Sequence, residues 1–375
     1  MNMYDELVPI DILFTYPSRL QDSHRSCGDS GPVTAFPVPI VVSTAMEAVD
    51  SIVKGQEDIA SYHQDCVASG MCQPDISKAD FLRNLRRRIR ALRWNPFSRR
   101  PIISDIQNDC LIVQDGIELC CLTKELDKSW IKVSMPEDVH AKWLTRSTED
   151  LDKVVVRTSR KEFYNPIDHP AYRKAKIARR NSIRLDRIRQ LLGPIGPGIC
   201  GLDIGCNMGY TSHHLQRQGF NMTGIDYDDY HLDIAKALTT TYGLDVRLQN
   251  CYFRQFQTDH PFDIVVALTV LYHMFYNQEE QDIPECSRMD KTAVMEKIDT
   301  LTRHALIWES GADPPREIDF IRSNSGLSEY YFLGPTQGTG KKRNLGVFLR
   351  PGTAFTDYLR NRYTAKFAGR WDYKG

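Results

Sequence analysis

At 375 residues and 41% apolar side chains, the chain is long enough for two domains and apolar enough to bury a core, which excludes wholesale disorder. Lys plus Arg and Asp plus Glu stand at 48 each, so overall charge argues neither for nor against an anionic partner. The ten cysteines lack C-x-x-C spacing and include the adjacent Cys120 and Cys121, so they read as free thiols rather than a disulfide framework.

Met1 to Glu6 lacks the basic start and apolar core of a signal peptide. The longest apolar run, 264–276 with His273 inside it, is too short to cross a bilayer. A soluble, cytoplasmic protein is the expectation. Residues 1–80 carry scattered Pro, Gly and Ser, then weakly helical sequence. From Phe81 to Trp94, Phe81, Leu82, Leu85, Ile89 and Leu92 recur at helical spacing with arginines opposite. Short β-like runs follow at 101–106, 110–114 and 131–134, with Asp115-Gly116 offering a turn between two of them. A basic stretch, 172–192, reads as a helix stopped by Gly193-Pro194.

From Ile199 strands and helices alternate. Strands are expected at 199–204, 222–226, 246–248, 262–271 and 305–309, and helices at 209–218, 232–242, 292–302 and 315–323. Two further strands, 329–333 and 345–349, have no helix between them and suggest a hairpin at the sheet edge. The predicted fold is α/β: a doubly wound, mostly parallel seven-stranded sheet with a reversed edge strand, preceded by an N-terminal α+β accessory region. The expected division is 1–155 for accessory and substrate recognition, 156–350 for the doubly wound domain, and 351–375 as a C-terminal tail.

The chemistry concentrates where the first of these strands turns into its helix. Gly205 and Gly209 allow a tight turn and a close ligand approach, and the helix N-terminus favours an anionic group. Asp226, ending the second strand, is placed for a ribose diol. Together these indicate an adenosine-type cofactor. The spacing Gly205-x-x-x-Gly209 is not the G-x-G-x-x-G of a pyrophosphate site, and Asp203 would repel a pyrophosphate while serving a cationic amino acid. The pattern favours S-adenosylmethionine.

Leu202 to Tyr210, Gly224 to Asp226, Phe262 to Val265 and Leu268 to His273 together resemble the class I S-adenosylmethionine-dependent methyltransferases, over about residues 160–350. The resemblance implies that Asp203, Gly205 and Gly209 surround the methionine end and that Asp226 binds the ribose. Cys206, Asn207, Tyr227, Asn250, Cys251 and Leu268 complete the expected cofactor contacts. Many relatives carry an acid after the third strand for the adenine amino group, and here that region reads Gln249-Asn250-Cys251.

Methyl transfer is an in-line displacement, so positioning dominates, and a hydroxyl acceptor also needs a base. His273 follows the fourth strand, and an ordinary imidazole pKa near 6.5 suits that role; a packing histidine is the competing interpretation. Tyr272 reads as an acceptor-pocket wall, and Tyr164, Arg180 and Arg184 as further acceptor contacts, against solvated helix-face arginines. The turn after the fourth strand lacks the Pro-Pro-aromatic pattern of base-amine methyltransferases, and no cluster has metal-ligand spacing. The expected reaction is transfer to an oxygen, or less favourably a nitrogen, of a small molecule or saccharide. Two alternatives stay open. One is an RNA methyltransferase using the basic segments 83–100, which holds eight arginines, and 173–189. The other is a cofactor-binding pseudoenzyme acting as an interaction module.

Overall fold

The computed structural model describes residues 3–9, 13–15, 38–39, 44–53, 59–68, 76–94, 100–107, 110–125, 130–144, 149–156, 162–163, 165–167, 169, 172, 176–177, 182–193, 198–276, 278, 283–311, 313–337 and 342–369. The chain forms two compact units, residues 1–146 with 168–173 and residues 147–167 with 174–375.

The first unit contains β1 (Met3–Pro9), β2 (Leu13–Thr15), β3 (Val38–Pro39), α1 (Thr44–Val53), α2 (Ala60–Ala68), α3 (Lys78–Trp94), β4 (Ile102–Gln107), β5 (Cys110–Asp115), α4 (Ile117–Glu125), β6 (Trp130–Pro136) and α5 (Glu137–Leu144). Its strands make one mixed sheet in the order β1-β6-β4-β5-β2-β3. The arginine-rich helix α3 buries Phe81, Leu85 and Ile89 and exposes Arg83, Arg87 and Arg88, as its periodicity predicts. Asp115-Gly116 does not turn one strand into the next: it leads into α4, whose Ile117 to Leu122 are all buried. A helix buried on every side has no polar stripe to betray its period.

The second unit contains α6 (Glu149–Val156), β7 (Glu162–Phe163), β8 (Lys176–Ile177), α7 (Ser182–Leu192), β9 (Cys200–Ile204), α8 (Tyr210–Arg217), β10 (Asn221–Asp226), α9 (Asp229–Thr241), β11 (Arg247–Asn250), β12 (Phe262–Leu268) and α10 (Val270–Tyr276). A short 3-10 turn at Glu285–Ser287 precedes α11 (Lys291–Leu301), β13 (Thr302–Glu309), α12 (Pro314–Ser323), β14 (Glu329–Gln337), β15 (Lys342–Leu349) and α13 (Ala354–Lys366).

Seven strands form the sheet, in the order β11-β10-β9-β12-β13-β15-β14. All pairs from β11 to β13 are parallel, and β15 runs antiparallel to both β13 and β14. The expected edge hairpin is present, with its reversed member one place in from the edge. Alternate residues of a strand face opposite layers. Val265 and Ala267 of β12 join one core with Leu202 and Trp308, while Ile264 and Val266 join the other with Ile307 and Val347. Asp228, Asp290, Asp313 and Thr353 cap α9, α11, α12 and α13 by accepting first-turn N–H bonds.

Four expected boundaries shift. Residues 149–156 and 354–366 are helices of the second unit, so the doubly wound unit begins before 156 and residues after 350 are not only a tail. The helix expected over 172–192 starts at Ser182, and Lys176–Ile177 instead pairs with Glu162–Phe163. The fourth strand ends at Leu268, where Thr269 takes a left-handed φ of 71° and turns the chain into α10. Among the described residues, no helix is long and apolar enough to cross a membrane.

Candidate functional site

From β9 the chain winds outward through β10 and β11, then crosses back to lay β12 on the other side of β9. Such a reversal leaves a crevice beyond the carboxyl ends of the strands. A cavity of about 710 Å³ occupies that position, lined by residues from the ends of β9, β10 and β12, from the segment after β11, and from α10.

The β9–α8 turn builds one wall. Gly205 adopts φ 69°, and a Cβ there would stand 2.6 Å from Val270 Cγ2. Asn207 is left-handed as well, at φ 53°, a conformation asparagine tolerates better than most residues. Its backbone N–H donates to Asp226 Oδ2 at 2.8 Å, and the Asp228 N–H donates to Asp226 Oδ1 at 2.9 Å. The Asp226 carboxylate is thus clamped by two backbone donors and lines the cavity. It keeps about half of its roughly four acceptor positions for a ligand. Burial raises its pKa, and the two N–H bonds oppose that shift.

Asp203 lies beneath the turn, 3% exposed, and accepts a 2.7 Å hydrogen bond from Ser212 Oγ. Burial raises its pKa to about 6, against the lowering effects of Ser212 and of Arg184. Cys206 is buried and abuts Gly224, whose added Cβ would stand 2.9 Å from the thiol sulfur; burial pushes that thiol well up. Gly209, at φ 73°, is the N-cap of α8.

Of the residues singled out from sequence, Gly205, Asn207, Asp226, Tyr227, Cys251, Leu268 and His273 line the cavity together. Asn250 is exposed outside it, its amide donating to the Tyr227 carbonyl at 3.4 Å. Tyr272 also lies outside the lining and packs over Gly311. Arg184 is not an exposed acceptor contact: Nη1 meets Glu309 Oε2 at 3.0 Å with both side chains buried. Tyr164 and Arg180 lie outside the described residues.

Sequence reasoning passed over several lining residues. Tyr252 stacks on Tyr227 with ring centroids 5.2 Å apart and planes 11° apart. His231, Thr269, Val270 and Arg343 also face the cavity. His231 stands one turn along from the Asp228 cap, with Nδ1 2.9 Å from Asn207 Nδ2. An aromatic residue on each side of the β10–β11 ends was the legible signal for the stacked pair.

A family model described as a methyltransferase domain matches residues 202–292, the stretch holding the turn, Asp226 and His273. The ubiquinone biosynthesis O-methyltransferase of Rickettsia bellii (strain OSU 85-389) is 33% identical over 78 residues, 21% of this chain and 32% of that protein. The protein of the same name from Azoarcus sp. (strain BH72) is 29% identical over 126 residues, 33% of this chain and 52% of that one. The chain therefore spans about a third to a half of the length of these curated relatives. Among solved structures, the N-terminal domain of EvdMO1 with SAH bound aligns at a TM-score of 0.41 and 13% identity, over 53% of this chain and 95% of that one. The bifunctional kinase-methyltransferase WbdD aligns at 0.40 and 18%, over 53% and 46%. With the motif match, the strand order and the clamped acid at the crevice agreeing, the chain contains a class I, S-adenosylmethionine-dependent methyltransferase domain.

Proposed function

We propose that the protein methylates an oxygen of a small molecule or saccharide, with the cavity at the ends of β9, β10 and β12 as its active site. The observation that carries this is the Asp226 carboxylate, fixed by the N–H groups of Asn207 and Asp228 and open to the cavity with acceptor positions to spare for a ribose diol. The residues fit S-adenosylmethionine in other ways too. Gly205 and Val270 line the cavity side by side, with Val270 packed into the space a Gly205 Cβ would need, so the turn and the start of α10 form one continuous wall. Asp203 supplies buried negative charge beneath that wall and suits a cationic amino acid end.

When bound, S-adenosylmethionine supplies an electrophilic methyl group. The protein's part is to hold and orient. Tyr227, Cys251 and Tyr252 line the side beyond Asp226, where an adenine would lie. His273 lines the same cavity, and its Nδ1 is buried, so proton exchange with an acceptor hydroxyl falls to Nε2. The O-methyltransferase names of the matched relatives agree with oxygen as the acceptor atom.

The test is transfer of a radiolabelled methyl group to fractionated lysate, with and without nuclease. A nuclease-resistant, small, labelled ether supports the proposal. Loss of the labelled product on RNase treatment would overturn it in favour of RNA, and cofactor binding without any labelled product would make the domain a pseudoenzyme.

A further inference from the structure

The N-terminal unit encloses a cavity of its own, about 530 Å³, between α2, α3, the strands β4 and β5, and the start of α4. Its volume falls within the range of about 300–1,000 Å³ common to small-molecule sites. The polar lining consists of planar groups, namely Tyr62, Asn84, Arg88, Gln114, Asp115 and Glu118. Glu118 is only 5% exposed. The Tyr62 hydroxyl donates to its Oε1 at 3.0 Å, and Arg88 Nη2 donates to its Oε2 at 3.1 Å. Phe81 stands edge-on to Tyr62, with centroids 5.8 Å apart and planes at 66°, and Leu85 packs into the same core.

The pair joins a buried carboxylate to an Arg88 side chain that stays about half exposed, so solvent screening and the desolvation of Glu118 leave it a poor source of stability. It does make a fixed polar surface inside a space large enough for a ligand. Two of the carboxylate's roughly four acceptor positions are used, which leaves capacity for a donor.

Charge selects the ligand class. Among the described lining residues Arg88 is opposed by Asp115 and Glu118, a net charge of −1, which disfavours a phosphate or a carboxylate. A purely apolar ligand would strip water from these polar groups and return no hydrogen bonds. A neutral polyol satisfies both conditions. Adjacent hydroxyls can bridge the paired atoms of an amide, a carboxylate or a guanidinium, and a sugar's C–H face can pack on an aromatic ring.

We propose that this cavity binds a neutral sugar of one or two rings. The proposal stands on the N-terminal unit alone, so its failure leaves the methyl-transfer reading intact, and the reverse. The test is saturation-transfer NMR on the full chain with glucose, galactose, mannose, N-acetylglucosamine and maltose, and with glucose 1-phosphate as the anionic arm. At least one neutral sugar is expected to bind saturably, and Asn84→Ala or Gln114→Ala to weaken it at least tenfold. Both of these side chains are exposed, so melting temperature and S-adenosylmethionine affinity should stay at the parent values. The proposal is overturned if no neutral sugar binds, if binding survives in both variants, or if glucose 1-phosphate binds more tightly than glucose.

Discussion

Arg184 Nη1 lies 3.0 Å from Glu309 Oε2, joining α7 to the end of β13 with the two side chains 7% and 0% exposed. Thr269 and Thr336 donate to the same Glu309 carboxylate, each at 2.6 Å. The Thr269 N–H also donates to the Glu309 carbonyl at 3.1 Å, so Glu309 anchors the left-handed residue at the cavity. Removing one partner of a buried pair leaves the other charge uncompensated, at a cost of about 3–5 kcal/mol. Arg184→Met is therefore expected to lower unfolding free energy in urea by that amount. The double variant Arg184→Met, Glu309→Gln should recover much of it. A loss under 1 kcal/mol in the single variant would show that the pair does not tie the unit together.

Asp226→Ala removes the clamped acceptor from the cavity. Hydrogen bonds to a charged group are worth about 1.5–3 kcal/mol each. Loss of the ribose contacts should then weaken S-adenosylmethionine binding by roughly 10²-fold, since every 1.4 kcal/mol is tenfold. Calorimetry against the parent protein measures this, with NAD as the control ligand. Unchanged affinity would remove Asp226 from the ribose site.

The β9–α8 turn and Asp226 were legible in the sequence because few residues suit their places: glycine where φ is positive, and an acid at the strand end where two backbone N–H groups converge. The remainder of the site was hidden by distance along the chain. Arg184 reads as one more arginine on a basic helix, since its partner Glu309 lies 125 residues away. Thr269 carries no mark of its φ of 71°, so β12 was read through to residue 271. Asn250 looked like a site residue by alignment with the usual adenine acid, yet it faces solvent while Cys251 and Tyr252 face the cavity. The mostly parallel sheet followed from the alternation of strands and helices, since a strand as apolar as β12, whose first six residues are all buried, suits a sheet covered on both faces.

His273→Gln separates base from scaffold. Glutamine keeps polarity and approximate size but cannot take a proton at neutral pH. A positioned general base contributes about 10²–10⁴-fold. The variant should lose at least 10²-fold in kcat once an acceptor is in hand, with S-adenosylmethionine affinity within twofold of the parent. Equal kcat would assign His273 to packing.

Gly205→Ala meets two obstacles at once: a φ of 69° and a contact of 2.6 Å with Val270 Cγ2. A left-handed non-glycine residue costs about 1–2 kcal/mol, and the clash adds to it. Val270→Ala in the same chain should relieve the clash and leave the backbone term. The expected order of melting temperature is parent, then the double variant Gly205→Ala, Val270→Ala, then Gly205→Ala alone. A double variant no better than the single one would mean that strain, not Val270, sets the cost.

Asp203 makes the β9–α8 turn sensitive to pH. Its pKa is raised by burial from the ordinary 3.8 to about 6. A carboxyl shifted upward binds more protons in the folded state than in the unfolded one. Its contribution to stability is therefore fully present below pH 3.8 and is lost as pH rises through about 6. In Asp203→Asn this titration is absent, so the stability difference from the parent should change across pH 4 to 7 by on the order of 1–3 kcal/mol. A cationic amino acid group near Asp203 favours the carboxylate, so S-adenosylmethionine binding should release a proton near pH 6 and none at pH 8. Titration calorimetry in buffers of unlike ionisation enthalpy reads that proton directly. The same buffer dependence at both values, or proton release at pH 6 that persists in Asp203→Asn, would detach Asp203 from the cofactor.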